Sequence, residues 1–260
     1  MSAPAIYSHA PSRTIVNAVL GAMPAVIDVW NTSSAAPLTI THKFATAVPP
    51  VDMWSVYRGW KAFTAAQKSA VSAVLAEYES VINVKFVAIA SLDPDIDFGR
   101  VNLSGGEAGE GGYRYTYATL GGVVSAKTLD GFSVFGNQIE NLSKNLILHE
   151  LGHAMTLKHT GNYHAGGGSA PGPYLPAGQD NNKYTVMSYK ADPDNGALSP
   201  HLGIYDIAAL QARFGANLAY RTGNDTYTGP NGVMQAIWDA GGIDTLSGAG
   251  PRDGSRRQPQ

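Results

Sequence analysis

The 260-residue sequence contains no cysteine. That absence excludes disulfide scaffolds, thiolate zinc fingers and cysteine nucleophiles. Charge is also scarce, because only 15% of the residues are Asp, Glu, Lys or Arg, and the formal net charge is −2. A chain with so small a net charge has no strong electrostatic attraction to nucleic acid or to an anionic membrane surface. We therefore predict neither as a partner.

Long hydrophobic runs are missing as well, so no membrane-spanning segment is predicted. The stretch from Thr14 to Val26 follows Arg13 and resembles a signal peptide, but Asn17 and Pro24 interrupt it, and we predict no signal peptide there. Hydrophobic residues still make up 44% of the chain, which is enough for a sizeable core. The length fits one large domain, or one domain with a small appendage.

The order of periodic segments predicts the α+β class. Strands are predicted at 38–44, 84–89, 97–103 and 113–119, and helices at 65–81 (capped by Thr64), from Gln138 to about Met155, and at 202–214. Gly215 is the predicted stop of the last helix. The predicted fold is a twisted mixed sheet of about five strands with two long helices, followed by an irregular lower subdomain beyond His159.

One segment carries the pattern of a catalytic metal site, the sequence HELGHAMTLKH from His149 to His159. Histidines at positions i and i+4 of a helix lie one above the other, so His149 and His153 can reach one ion. His159 reaches the same ion if the chain leaves the helix after Met155 and turns back. Three neutral imidazoles leave one position open for water, as catalytic rather than structural zinc sites do.

The residue between the first two ligands, Glu150, is the predicted general base. Zinc lowers the pKa of a bound water from about 15.7 towards 7. Glu150 would take the proton, and the hydroxide would attack a carbonyl polarised by the ion. The alternative is that these are ordinary helix and loop histidines, and the third histidine at the expected spacing, in a chain with 7 histidines, weakens it. His9, His42, His164 and His201 are interpreted as surface or satisfied histidines.

Downstream motifs resemble one known family. The hexapeptide from Tyr184 to Tyr189 resembles the Met-turn of the metzincin peptidases. Five ordered motifs resemble those of the serralysin branch in particular: HELGHA…H, YTVMSY, DIAALQARFGAN, RTGND and IWDAGGIDTL. The resemblance covers most of Leu38 to Leu246. It implies a metzincin-like catalytic domain at 36–220 that belongs to a secreted zinc endopeptidase.

The resemblance also implies roles for further residues. Met187 would form an apolar floor beneath the zinc, although simple core packing is the alternative. Tyr189 would be a fifth zinc ligand at rest and would hydrogen-bond the oxyanion during turnover, or else be a buried tyrosine with a satisfied hydroxyl. The strand carrying Tyr113, Tyr115 and Tyr117 would be the sheet edge beside which an extended substrate binds, and a plain strand rich in tyrosine is an equally good interpretation.

A calcium site is predicted near the end of the chain. Asp239, Gly241 and Asp244 offer two carboxylates and an open carbonyl, and hard oxygen ligands suit Ca²⁺. In serralysins the matching positions share an ion with backbone carbonyls of a segment that resembles the one bearing Arg221, Gly223 and Asp225. A polar glycine turn is the alternative. Residues 221–250 are therefore predicted to be a short calcium-binding stub, the truncated start of a β-roll.

The chain departs from the family in two places. Metzincins have glycine where Thr156 stands, and a β-branched residue with positive φ costs about 1–2 kcal/mol, so we expect a strained or rebuilt turn and reduced activity. The tandem repeats of the calcium β-roll are reduced to one partial unit, and 251–260 is a predicted disordered tail. A truncated sequence and a member without the roll both remain open. Residues 1–35 are predicted to be an N-terminal, propeptide-like arm.

The leading functional prediction is a secreted, extracellular, monomeric zinc-dependent endopeptidase that acts on protein or peptide substrates and is a target for a proteinaceous inhibitor. The alternative from another class is a catalytically impaired zinc- and calcium-binding module for protein interaction. Hydrolysis of a non-peptide amide uses the same machinery, so the sequence does not separate it from peptide hydrolysis.

Overall fold

A computed structural model describes residues 11–21, 36–47, 50, 56–91, 93–120, 123–163, 171–228 and 235–247. For 115–120 and 123–129 it describes the backbone only. The predicted tail at 251–260, most of the arm at 1–35, and both His9 and His164 therefore lie outside the described residues.

The fold class is α+β, as predicted. The helices are α1 (Arg13–Val19), α2 (Ala65–Val81), α3 (Lys144–Ala154) and α4 (Ile204–Phe214). The strands are β1 (Leu38–Phe44), β2 (Arg58–Lys61), β3 (Val84–Ala88), β4 (Ile96–Asn102), β5 (Gly109–Leu120), β6 (Val123–Gly136), β7 (Thr226–Thr228) and β8 (Thr245–Ser247).

The main sheet is mixed, which confirms the predicted architecture. Its strand order is β3-β1-β4-β6-β5, and the short β2 pairs separately with β4. The pairs β1–β3, β1–β4 and β4–β6 are parallel, whereas β5 runs antiparallel to β6. This order places β5, which contains the predicted substrate strand, at one end of the sheet.

Helix α2 begins where the sequence predicts it. The Thr64 hydroxyl accepts a hydrogen bond from the Gln67 backbone N–H (3.2 Å), and the Gln67 side chain accepts one from the Thr64 N–H (3.0 Å). This reciprocal pair is a capping box. One turn before the end of the helix, the buried Tyr78 hydroxyl donates to the Leu148 carbonyl (2.9 Å). That bond joins α2 to α3, the helix that carries the first two histidines.

The prediction that α3 starts at Gln138 is wrong, because the helix begins at Lys144 with Ser143 as its N-cap. The Ser143 hydroxyl accepts from the Leu146 N–H (3.2 Å). Carbonyls upstream of this cap bond to distant side chains instead of to a helical ladder. Arg100 donates to the Ile139 carbonyl (2.7 Å), and the Gln67 amide donates to the Glu140 carbonyl (2.8 Å). These long-range hydrogen bonds hold residues 138–143 outside the helix, although the spacing of their apolar residues is helical.

The chain beyond α3 has little regular structure, as expected for the lower subdomain. Its one long element among the described residues is α4, and Gly215 (φ 76°) ends that helix as predicted. Strands β7 and β8 form a separate two-stranded parallel sheet. The Trp238 indole N–H donates to the Asn217 carbonyl (2.9 Å), so this stub is tied to the end of α4. No helix in the described part of the chain is long and apolar enough to cross a membrane.

Candidate metal centre and active site

The three histidines of the sequence motif converge on one point. His149 and His153 lie one turn apart on α3, and His159 returns to them from the following loop. The His159 Nε2 atom is 3.2 Å from His149 Nε2 and 3.0 Å from His153 Nε2. Two nitrogens bound tetrahedrally at about 2.0–2.1 Å from one zinc ion would lie roughly 3.3–3.4 Å apart. The cluster therefore has the size that a single zinc ion needs.

The hydrogen bonds behind the rings set the tautomers of two ligands. His149 Nδ1 lies 2.7 Å from the Val186 carbonyl, and His153 Nδ1 lies 3.0 Å from the Leu157 carbonyl. Since a carbonyl only accepts, each Nδ1 must carry the proton, which leaves both Nε2 lone pairs facing the cluster. Burial also lowers the pKa of His149 and so favours the neutral, metal-binding form. Lone pairs that converge in this way are stabilised by a cation between them.

The turn between α3 and His159 has a backbone conformation that favours glycine, but threonine occupies the position. Thr156 has φ 71°, in the left-handed region, and its side chain is fully buried. The N–H of Leu157 then bonds to the Gly152 carbonyl (2.8 Å), which closes the end of α3. Of the two alternatives expected for this departure from the family pattern, the structure shows the strained turn. Among the described residues, the Thr156 hydroxyl has no hydrogen-bond partner.

Glu150 is buried between α3 and the first residues of β5. A Cβ on Gly111 would lie 2.1 Å from the Glu150 carbonyl oxygen, and one on Gly109 would lie 2.9 Å from Glu150 Oε1. Only glycine allows the strand to approach the helix so closely. Burial, reinforced by the negative charges of Glu110 and Glu107, raises the pKa of Glu150 to about 8, although a hydrogen bond from the Gly111 N–H opposes the rise. The carboxylate is thus held in a place that favours taking up a proton.

One buried carboxylate connects the segment 184–189 to the histidine cluster through hydrogen bonds. Asp206, in the first turn of α4, accepts from the Thr185 hydroxyl (2.6 Å) and from the Val186 N–H (2.8 Å). Val186 in turn accepts from His149. Burial raises the pKa of Asp206 to about 6, despite the hydrogen bonds that lower it. The fully buried Met187 packs against α3, since its Sδ would lie 2.6 Å from a Cβ on Gly152.

Tyr189 lies beside the cluster but remains 47% exposed. Its ring centroid is 4.6 Å from that of His159, and it stacks on Tyr163 at 4.7 Å. The Tyr163 hydroxyl accepts from the Tyr189 N–H (3.4 Å) and donates to Asp180 (2.6 Å). Asp180 also accepts from Lys190 (2.8 Å). The backbone of Tyr189 is therefore anchored, and its half-exposed ring lies against His159 and Tyr163.

The predicted substrate strand is at the sheet edge, but Tyr113 does not line an open surface. Its side chain is partly buried and packs against the core. The side chains of Tyr115 and Tyr117 lie outside the described residues. Of the three predicted tyrosines, Tyr113 is therefore the one that the structure describes, and it contributes packing.

The predicted calcium residues are also brought together. Carboxylate oxygens of Asp225, Asp239 and Asp244 all lie within 4.8 Å of one another. The Asp225 N–H donates to Asp244 Oδ1 (2.9 Å), and the Thr245 N–H donates to the Asp225 carbonyl (2.8 Å). These hydrogen bonds join the turn that contains Arg221 and Gly223 to the turn at 239–244. Arg221 has φ 50°, the second non-glycine residue with positive φ among the described residues.

Sequence reasoning missed three residues that support the site, Tyr163, Asp180 and Asp206, and it did not single out the buried Lys158. Only Asp206 has a local signal, because an acidic residue three positions after Gly203 is typical of a helix N-terminus. The partners of Tyr163, Asp180 and Lys158 are 15 or more residues away in the sequence for at least one bond each. Their roles depend on tertiary contacts that no local pattern encodes.

Comparison with known proteins gives a consistent set of relatives. The chain is 30% identical over 220 residues to "Metallopeptidase AprA" of Pseudomonas marginalis, an alignment covering 74% of this chain and 46% of that protein. It is 31% identical over 229 residues to "Serralysin" of Proteus mirabilis, covering 72% and 45% respectively. "Serralysin C" of Dickeya chrysanthemi is 28% identical over 258 residues, covering 87% and 52%. The chain thus spans about half the length of these curated relatives. No protein-family model matches.

The strained turn generates a stability prediction. Relief of left-handed strain and removal of an unpaired buried hydroxyl should outweigh the added backbone entropy of glycine and the loss of a buried methyl group. Together these terms predict that Thr156→Gly stabilises the metal-free protein by about 1–2 kcal/mol, measured by urea denaturation. Thr156→Val is the matched control, because it removes the hydroxyl and keeps the β-branch. An equal gain in both variants would show that backbone strain at this residue is negligible.

Proposed function

Because the chain is a homologue of the serralysin-type metallopeptidases over most of its length, we propose that it is a secreted zinc-dependent endopeptidase. The observation that carries this proposal is the convergence of the three Nε2 atoms of His149, His153 and His159. Neutral imidazoles from a helix and a returning loop form an open ligand set of the catalytic kind. The substrates would be internal peptide bonds of extended proteins or peptides, met outside the cell.

When bound, the zinc ion supplies Lewis-acid chemistry, lowering the pKa of a water from about 15.7 towards 7 and polarising the substrate carbonyl. Glu150 acts as the general base of the reaction. Burial raises its pKa to about 8 in the metal-free protein, and the positive charge of a bound zinc ion would lower that pKa. The carboxylate could then accept a proton near neutral pH and donate it to the leaving amine. The Gly111 N–H holds that carboxylate in place.

Tyr189 stabilises the oxyanion of the tetrahedral intermediate. Its ring neighbours His159, its side chain is 47% exposed on the side of the site, and its backbone is held by Tyr163. At rest the same hydroxyl would be a fifth ligand to the zinc ion. Met187, packed under α3, provides the apolar floor of the site and excludes water from beneath the histidines.

The substrate binds as an added strand beside β5. The position of β5 at the end of the sheet exposes backbone groups that an extended peptide can pair with, and its first residues contact Glu150. Pairing there would carry the scissile bond past the general base.

The described parts of the stub, 221–228 and 235–247, would hold a calcium ion. The three carboxylates of Asp225, Asp239 and Asp244 supply charged oxygen ligands, and the carbonyls at Arg221, Gly223 and Gly241 lie on the same two turns. The ion is a structural element in this proposal and takes no part in hydrolysis.

A second candidate function is a zinc- and calcium-binding module with little or no turnover. The strained Thr156, two residues beyond the end of α3 and three before His159, is the observation that favours it. The complete set of histidines, base and tyrosine favours the peptidase. Hydrolysis of a non-peptide amide would use the same groups. Assays with peptide and non-peptide substrates would distinguish it from peptide hydrolysis.

The general-base role predicts the effect of Glu150→Gln. The variant keeps the shape of the side chain but does not accept a proton, so we expect casein hydrolysis to fall by at least about 10²-fold, the scale of general-base catalysis. Zinc binding should remain stoichiometric, since Glu150 is not a ligand. The exposed Glu140→Gln is the matched control and should retain full activity. Full hydrolysis by Glu150→Gln would contradict the assignment.

The oxyanion role predicts a different pattern for Tyr189→Phe. Loss of one oxyanion donor should lower kcat by about 10²–10³-fold with little change in KM, because the bond forms only in the transition state. Tyr174→Phe removes the hydroxyl of another partly exposed tyrosine near the His159 loop and should leave kcat unchanged. A change confined to KM in Tyr189→Phe would place the hydroxyl in substrate binding instead.

A further inference from the structure

Lys158, the residue before the third ligand, has an unusual environment for a lysine. It is only 8% exposed. Its ammonium group donates to three backbone carbonyls, those of Ala18 (2.9 Å), Pro173 (2.8 Å) and His159 (3.4 Å). An ammonium group has three N–H donors, so all of them are used. Among the described residues Lys158 forms no ion pair. The bonds to carbonyls compensate for its burial, together with the Tyr174 ring, whose centroid is 5.6 Å from the ammonium nitrogen.

The three carbonyls belong to three chain segments that lie side by side. The residues after α1 pair with the turn that follows α3, through bonds from Lys158 N–H to Val19 (2.8 Å) and from Gly21 N–H to Thr156 (2.7 Å). On the other side, the Leu175 N–H bonds to the Thr160 carbonyl (2.9 Å). His159 is thus in the middle segment of three, and the Lys158 ammonium bridges from this segment to both outer ones.

The middle segment needs support that the helix does not provide. His149 and His153 are positioned by the regular geometry of α3, but His159 comes after the strained Thr156, beyond the last helical hydrogen bonds. Its imidazole direction therefore depends on how the backbone at 157–160 is held from outside. The contacts of Lys158 are the side-chain contacts that join this backbone to the N-terminal segment and to the loop at Pro173.

We propose that Lys158 is a positioning residue for the zinc ligand His159. Its ammonium group fixes the carbonyl of His159 relative to Ala18 and Pro173, so that the third imidazole points at the other two before the metal binds. The N-terminal segment at 18–21 is then part of the metal site rather than a removable arm. This inference rests on the proposed zinc site but does not depend on peptide hydrolysis.

The test is the zinc affinity of Lys158→Met, which keeps the length of the side chain and removes all three donors. Competition with a chromophoric chelator, with Zn²⁺ alone as the probe, measures Kd directly. We expect Kd to rise by about 10–100-fold, as is typical when an outer partner of a metal ligand is removed. Lys85→Met, at an exposed lysine paired with Glu79, is the matched control and should leave Kd unchanged.

The metal-free melting temperature of each variant separates positioning from general stability. A change that destabilises the metal-free and zinc-loaded forms equally does not alter Kd, so a lower melting temperature with unchanged Kd would overturn the proposal. Tighter zinc binding would also overturn it, because that result would mean the lysine acts only by repelling the dication. Stoichiometric zinc binding by the wild type without casein hydrolysis would defeat the proposed function and leave this inference intact.

A second variant perturbs the contact between the N-terminal segment at 18–21 and the turn that follows α3. A Cβ on Gly21 would lie 2.8 Å from the Thr156 carbonyl oxygen, so Gly21→Ala should push that segment away from the turn without touching Lys158 or a histidine. We expect weaker zinc binding in this variant as well. If Lys158→Met does not fold, unchanged zinc affinity in Gly21→Ala overturns the proposal.

Discussion

The whole site depends on holding three imidazole Nε2 atoms close to one another. The Nε2 atoms of His149, His153 and His159 are 3.0–3.2 Å apart along two sides of the cluster, and neutral nitrogens at that distance do not attract one another unless a cation or proton lies between them. The rings of His149 and His153 are oriented by hydrogen bonds from Nδ1 to backbone carbonyls. The residues that supply those carbonyls are themselves held by further hydrogen bonds. The chain leading from His149 through Val186 to Asp206 shows this, because a buried carboxylate on α4 sets the direction of a ring on α3.

The two parts of the domain contribute differently to that arrangement. The sheet and helices α2 and α3 are regular, capped and closely packed, and they supply two histidines and the buried Glu150. The irregular part supplies the third histidine and Tyr189, and among the described residues strand-like pairing reaches the segment before His159 in the isolated bridge between Leu157 and Leu20. Its further support comes from buried polar side chains. Asp206 and Lys158 bond to backbone groups, and Asp180 bonds to other side chains.

Local patterns in the sequence were sufficient for much of this. The Thr64 cap, the Gly215 stop and the spacing of the three histidines each depend on residues within one or two turns, and each is confirmed. The start of α3 was wrong because Arg100 and Gln67 capture carbonyls from far along the chain. The supporting roles of Tyr163 and Lys158 were invisible for the same reason. The family resemblance supplied the Met-turn and Tyr189, which spacing alone does not distinguish from a strand.

The central claim is that one metal ion held by His149, His153 and His159 makes the protein a peptidase. Titration of metal-free protein with Zn²⁺, with casein hydrolysis followed at each addition, tests it most directly. The account predicts that hydrolysis is absent without metal, rises in proportion to added zinc and reaches its plateau at one tightly bound ion per chain. Binding of that ion without any hydrolysis, or hydrolysis that persists in the metal-free protein, would contradict it.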